Sequence, residues 1–423
     1  MRSPLAAGLV RKVAEAVTLL LLVSVVPRAL GPERYGALAF ALALVSLASA
    51  SASLGGPSLM SRFIPAAAAE DRAAVARTLA YRAFRWRGLQ VGVFAAVGAV
   101  LAAVWPSRFS PVQITLVVLA IGLDVAATLG FQVGLGLGRT SAWSFRYPLQ
   151  QGALIVSAVT LGRVGSTGAV ASIAVAAAVA LAFGATGLTP LRGVAPADVP
   201  AGATRFAVLT GISGLLVQLV HRAPVIAVVV LGGSKAQAGF ASLAVGVGLA
   251  ATYLVWQLFT VELPRLAEQA GGDPGGAEAS MRRLTERMTL VLIPIALAAV
   301  PIVRHVIPLV AGARFRGTLP AIGPALALLP LAPLTALGSQ AASLRLRPEE
   351  RLKCSIAGAV VFVVVAAPLV PEHAALGATI ALLAGSAATA LAYSAVFRDL
   401  FTRRLLAATA ALIAGVLVLG AVS

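Results

Sequence analysis

The sequence predicts an all-α polytopic membrane protein with twelve or thirteen transmembrane helices, and three observations predict it. Fifty-nine per cent of the 423 residues are hydrophobic and only 11% are charged, where a soluble domain carries roughly a quarter charged residues. Apolar runs of about 17–25 residues, long enough to cross a bilayer, recur along the chain between short stretches of Gly, Pro and Arg. The basic residues sit in those short stretches and favour alternate ones, which is the positive-inside pattern. Even a large water-soluble globule leaves much of its surface facing water, so it cannot hide this much apolar area.

Taken in order, the runs fall near 10–27, 36–54, 88–105, 112–131, 149–161, 168–189, 206–231, 239–261, 288–303, 319–338, 354–370, 376–396 and 405–422. The first follows Arg2, Arg11 and Lys12 as a signal peptide would. Pro27-Arg28 comes after it instead of a small-residue cleavage site, so it reads as a span. The run at 149–161 is short and must borrow from its flanks. The last is apolar nearly all round, which favours crossing the membrane over lying along its surface. With the N-terminus placed in the cytoplasm, twenty-four of the thirty-three basic residues fall in cytoplasmic segments, eight in outer ones, and Arg222 in a span. The three longest gaps, 55–87, 190–205 and 262–287, all lie on the cytoplasmic side, and the first is expected to include an amphipathic helix on the inner surface. The Pro/Gly-rich segment 191–205 reads as a linker. It would divide a six-helix bundle over 1–190 from a second over 206–396, with 397–423 as an additional hydrophobic helix. Two related six-helix halves are a common plan in secondary transporters.

The formal charge of +18 is spread over these gaps and not over one soluble face, so nucleic acid is not the expected partner. The single cysteine, Cys354, has no second to pair with. His221, His305 and His373 are far apart, and no metal-ligand spacing occurs. No Gly-rich phosphate loop with a Walker lysine is present, no cofactor is called for, and the short loops leave no room for a soluble catalytic domain.

Charged residues within spans are costly and therefore informative. Arg222, beside His221, lies in the seventh run with no acid nearby. It reads either as an anion contact for a phosphate or as an arginine snorkelling to the outer interface, and His221 as a proton-coupling group. Asp124 is the clearest buried acid; it could pair with an arginine, carry a proton or bind a cation. Arg11 and Lys12 sit one helical turn from Glu15, as an inner-end salt bridge or as part of a cavity-lining basic cluster. Arg62, at the inner end of the second run, could meet a phosphate at the cytoplasmic mouth or be ordinary positive-inside placement. Gln132, Gln150, Gln151, Gln218 and Gln257 lie in or beside spans, where amides need partners: helix-to-helix bonds, or sugar hydroxyls in a wet cavity.

Arg28-Ala29-Leu30-Gly31-Pro32-Glu33-Arg34-Tyr35-Gly36 resembles the first loop of bacterial polysaccharide (O-antigen-type) flippases of the multidrug/oligosaccharidyl-lipid/polysaccharide (MOP) exporter superfamily. Gly55-Gly56 with Arg62-Phe63-Ile64-Pro65, the Gly134–Arg139 stretch, Leu263-Pro264-Arg265-Leu266-Ala267 and Gly312-Ala313-Arg314-Phe315 resemble further segments of that family in the same order. The chain departs from it in carrying His221-Arg222 where the family often has an acid, and in its thirteenth span. The resemblance implies two six-helix bundles around a central cavity. It also implies a non-enzymatic activity: moving a polyprenyl-diphosphate-linked oligosaccharide from the inner to the outer leaflet for cell-surface polysaccharide, by alternating access. Arg222, Arg62, Arg28 and Arg11 would then be anion contacts, Gln218 and Gln257 sugar contacts, and Asp124 and His221 ion-coupling groups. The pathway's glycan polymerase and glycosyltransferases would be candidate protein partners. A multidrug/cation antiporter of the same superfamily, which would want cavity acids, and a lipid-linked peptidoglycan precursor flippase are the competing readings.

Overall fold

The computed structural model describes residues 4–53, 55–104, 110–198, 201–250, 252, 255, 274–345 and 347–422. Among these every regular element is helical. The helices are α1 (Pro4–Ser53), α2 (Gly56–Ala66), α3 (Arg72–Val104), α4 (Pro111–Gly136), α5 (Thr140–Leu161), α6 (Ser166–Gly184), α7 (Ala203–Val230), α8 (235–250), α9 (Pro274–Val310), α10 (Leu319–Leu326), α11 (Leu331–Leu344), α12 (Pro348–Val396) and α13 (Arg403–Val422). Among the described residues eight helices are long and apolar enough to cross a membrane, nine when the α10 region and α11, bent by 49°, count as one. The chain is a multi-pass membrane protein.

Two of these helices are double. Non-helical backbone at Gly31 (φ 72°, ψ 169°) breaks α1, and the same occurs at Ala374 (φ 44°, ψ −112°) in α12. Each break falls between two of the apolar runs read from sequence. Gly31 takes a positive φ that costs glycine little, and Pro32 follows it. Around this corner the Arg34 guanidinium donates to the carbonyls of Gly162 and Arg163, 3.2 Å each, while Leu30 and Tyr35 are buried. The family-like motif therefore joins the first turn of the chain to the end of α5.

The chain folds as two compact units, Met1–Gln218 and Leu219–Ser423, with the division inside α7. In the first, α4 runs between α6, α3 and α5. Its closest approach is to α6: a Cβ at Gly130 would lie 1.9 Å from the Gly184 carbonyl oxygen, so the backbones touch and dispersion contact replaces any need for side chains. Between α2, the start of α3 and the end of α4 lies an apolar cluster of Met60, Ile64, Val75, Leu79, Leu129 and Val133. The 55–87 gap, expected to include a helix, holds α2 and the first turns of α3, which begins at Arg72, well before its membrane run.

In the second unit the core is built from α9, α11, α12 and α13 around Met281, Leu334, Leu337, Tyr393, Phe397 and Leu405. α13 buries Leu405, Thr409, Leu412 and Val416, a stripe of helical spacing. Arg304 of α9 donates to the carbonyl of Gly420 near its end, where a cation meets the negative end of the helix dipole.

Candidate functional site: a buried arginine cluster in the first unit

The buried polar residues of α4 fall at one spacing: Asp124, Thr128 and Gln132, each four after the last, so they line one helical face. All three are buried. Ala127, Gly130 and Phe131 lie on the face turned to α6. α4 thus packs by small residues on one side and presents a polar stripe on the other.

Two helices answer that stripe. From α3, Arg87, only 2% exposed, donates to the Val125 carbonyl at 3.0 Å and to the Gln132 side-chain oxygen at 2.5 Å. From α5, Arg146 donates to the Thr128 hydroxyl at 2.8 Å and lies 3.8 Å from the Asp124 carboxylate. One turn further along α5, Gln150 donates to Asp124 at 2.7 Å. The Arg146 guanidinium also stands over the rings of Phe131 and Tyr147, at 5.9 and 5.2 Å from their centroids, a cation–π arrangement. At the start of α2, Gly56 abuts the pair: a Cβ there would come 2.5 Å from the Gln132 oxygen and 2.8 Å from Arg87.

Electrostatically the cluster is two guanidiniums against one carboxylate. Its hydrogen bonding is incomplete: the Arg87 Nε and the Gln132 Nε2 are buried without a partner. An unmade bond at a buried donor carries a desolvation cost of about 1–3 kcal/mol, so an acceptor that reached either donor would be stabilised.

The cluster has a definite level. On α3, Trp86 is exposed and Arg87 buried; on α5, Phe145 and Tyr147 are exposed and Arg146 between them is turned inward. Outward aromatic rings of this kind mark the membrane–water interface. The two buried arginines thus alternate with outward aromatic rings on α3 and α5.

Asp124 is thus placed in the cluster, and Gln132 and Gln150 are helix-bonding partners in it. Arg28 is exposed on the Gly31 corner, away from the cluster. Gln218 and Arg222 lie one turn apart on α7, both exposed, and His221 is half-buried. Gln257 and the side chains of Arg11 and Arg62 lie outside the described residues. Arg87 and Arg146 were absent from the sequence-derived site because both were counted as ordinary positive-inside residues. The fourfold spacing of Asp124, Thr128 and Gln132, echoed by Arg146 and Gln150, was the signal that could have found them. Among the described residues no group of His, Cys, Asp and Glu could hold a metal ion.

No protein-family model matches the chain, and no curated protein matches it. Solved structures do. The lipid II flippase MurJ in an inward closed conformation superposes with a TM-score of 0.70 at 9% identity over 98% of each chain. An inward-facing multidrug resistance MATE family transporter of the MOP superfamily gives 0.68 at 15% identity, over 95% of this chain and 98% of that one. The chain has the MOP-type fold. A MOP superfamily transporter from Pyrococcus furiosus, for which the reverse polarity of the binding pocket suggests a different function, gives 0.55 at 15% identity over 96% and 93%. At these identities the likeness is one of fold, and the polarity of a MOP-type interior has to be read from each chain's own residues.

Proposed function

We propose that the chain is a flippase that moves a polyprenyl-diphosphate-linked oligosaccharide from the inner to the outer leaflet for cell-surface polysaccharide, by alternating access between its two six-helix bundles. The observation that carries this reading is the buried cluster of Arg87 and Arg146 beside Asp124, with the Arg87 Nε and Gln132 Nε2 buried without a partner. A diphosphate-sugar headgroup cannot cross hydrocarbon unaided, and guanidinium forks suit phosphate oxygens. In this scheme Arg87, Arg146 and Gln132 receive the diphosphate in a state where α2 has moved from Gly56's contact with them, and Asp124 balances Arg146 in its absence. Arg222, Arg62, Arg28 and Arg11 are further anion contacts, Gln218 and Gln257 sugar contacts, and Asp124 and His221 the ion-coupling groups. The arginine-rich segments are assigned to the cytoplasm and the segment 191–205 to the link between bundles.

A multidrug antiporter would need acids to meet cationic drugs, and the surplus in the cluster is of the opposite sign. A peptidoglycan precursor carries the same polyprenyl diphosphate, so the same arginines would serve it; the accumulated glycan separates the two. Deleting the gene in its host is the test. Build-up of a lipid-linked oligosaccharide with loss of surface glycan supports the reading. Unchanged lipid intermediates with raised sensitivity to cationic toxins would overturn it.

A further inference from the structure

We propose that the exposed face of α3 at the arginine-rich end binds anionic phospholipid headgroups of the surrounding leaflet. α3 is the least covered of the spans: its most apolar stretch is 6% buried, against 50% for α4. Leu89, Val93, Val97, Val100 and Val104 are all exposed, and from first to last they rise about 22 Å, much of the hydrocarbon thickness. Directly before them stand Tyr81, Phe84 and Trp86, all exposed, with exposed Arg82 and Arg85 between. Arg85 lies 5.9 Å from the centre of the Tyr81 ring. Neither Arg82 nor Arg85 forms an ion pair among the described residues, and α3 contains no Asp or Glu.

This is a face with one fitting occupant. Its apolar part wants acyl chains, its rings suit the headgroup level, and its two guanidiniums, without an ion pair among the described residues, offer forked donors to a phosphate. A second copy of this chain would bring the same positive charge against it, whereas an anionic headgroup is complementary in sign, shape and depth. The next residue, Arg87, points inward, so one stretch of α3 serves the leaflet with Arg82 and Arg85 and the buried cluster with Arg87.

The inference does not rest on the transport reading, and its test does not measure transport. The full chain, with Trp105, Trp143 and Trp256 changed to Phe, is reconstituted in vesicles so that Trp86 alone reports. Quenching by brominated phosphatidylglycerol is compared with brominated phosphatidylcholine. At low salt the anionic lipid is expected to be preferred by about five-fold for each guanidinium engaged, less at high salt. Arg82→Gln with Arg85→Gln is expected to abolish the preference, and Arg82→Lys with Arg85→Lys to keep most of it. Equal quenching by the two lipids, or a preference that survives the Gln pair, overturns the proposal. Displacement of the brominated phosphatidylglycerol by a trace of prenyl diphosphate overturns it too, because it would give the face to the transport substrate.

Discussion

At the scale of single residues, Arg87 and Asp124 do different work in one cluster, and substitutions separate them. Arg87→Ala leaves the Gln132 oxygen and the Val125 carbonyl without their donor. Stability should fall by about 2 kcal/mol, read as a lower thermal midpoint in detergent. Arg87→Lys keeps the charge but loses the fork that spans two acceptors, so it should fold better than the Ala variant and still bind inorganic pyrophosphate weakly. Asp124→Asn keeps an acceptor for Gln150 and removes the charge facing Arg146. Pyrophosphate affinity should therefore rise while turnover falls, since the site no longer discharges its anion; isothermal titration and a flipping assay check the two halves. Asp124 was legible in the sequence because an acid inside an apolar run stands out. Arg87 was not, because an arginine near the end of a run looks the same whether it faces the headgroups or the protein interior. Only the packing of α3 on α4 decides which way it turns.

At the scale of elements, the apolar runs were legible because hydropathy over about twenty residues is a strong signal. Their true ends were not: α3 begins at Arg72 and α9 at Pro274, well outside the membrane runs, because tertiary packing extends a helix beyond its lipid-facing part. The close approach of α4 and α6 was invisible too, since small residues occur everywhere in this chain. It yields a sharp prediction. Gly130→Leu must push α6 away from α4, and even Gly130→Ala meets the Gly184 carbonyl. The Ala variant should cost about 1–3 kcal/mol, and the Leu variant should fail to accumulate as a monodisperse protein on size exclusion.

A second element-scale device is Arg345 after α11, which bonds Glu278 of α9 at 2.8 Å and also Asp399 between α12 and α13. Phe397 lies beneath its guanidinium at 5.4 Å. Arg345 holds the Asp399 carboxyl below its ordinary range, and the two acids raise Arg345, which stays charged at any working pH. For a lowered carboxyl the stabilisation is complete above the unfolded value of about 4 and is lost as pH falls through the folded value. Asp399 is 55% exposed, so solvent screens the pair and the effect is small. The thermal midpoint should be flat from neutral pH to about 5 and decline below 4. Asp399→Asn should lower the neutral plateau slightly and flatten that acid limb.

At the scale of the whole molecule, the reading of direction rests on which side of the membrane the arginine-rich segments occupy. α6 offers a clean measurement. Arg163 precedes it and Arg192 follows it, both are exposed, and the nineteen residues of α6 rise about 28 Å, close to one hydrocarbon thickness. Arg163 lies in a segment with few basic residues and Arg192 in the Pro/Gly-rich stretch toward α7. After replacing Cys354 by Ser, Arg163→Cys and Arg192→Cys are labelled in intact cells with a membrane-impermeant maleimide. The charge bias demands that the cysteine at 163 reacts and that the one at 192 reacts only after the membrane is opened. If both react from outside, α6 does not separate them and the span alternation fails. If the order is reversed, the aromatic-flanked arginines Arg87 and Arg146 open toward the outer leaflet. An anion site there cannot collect a lipid-linked precursor made in the cytoplasm, so the flippase direction would have to be abandoned even with the fold intact.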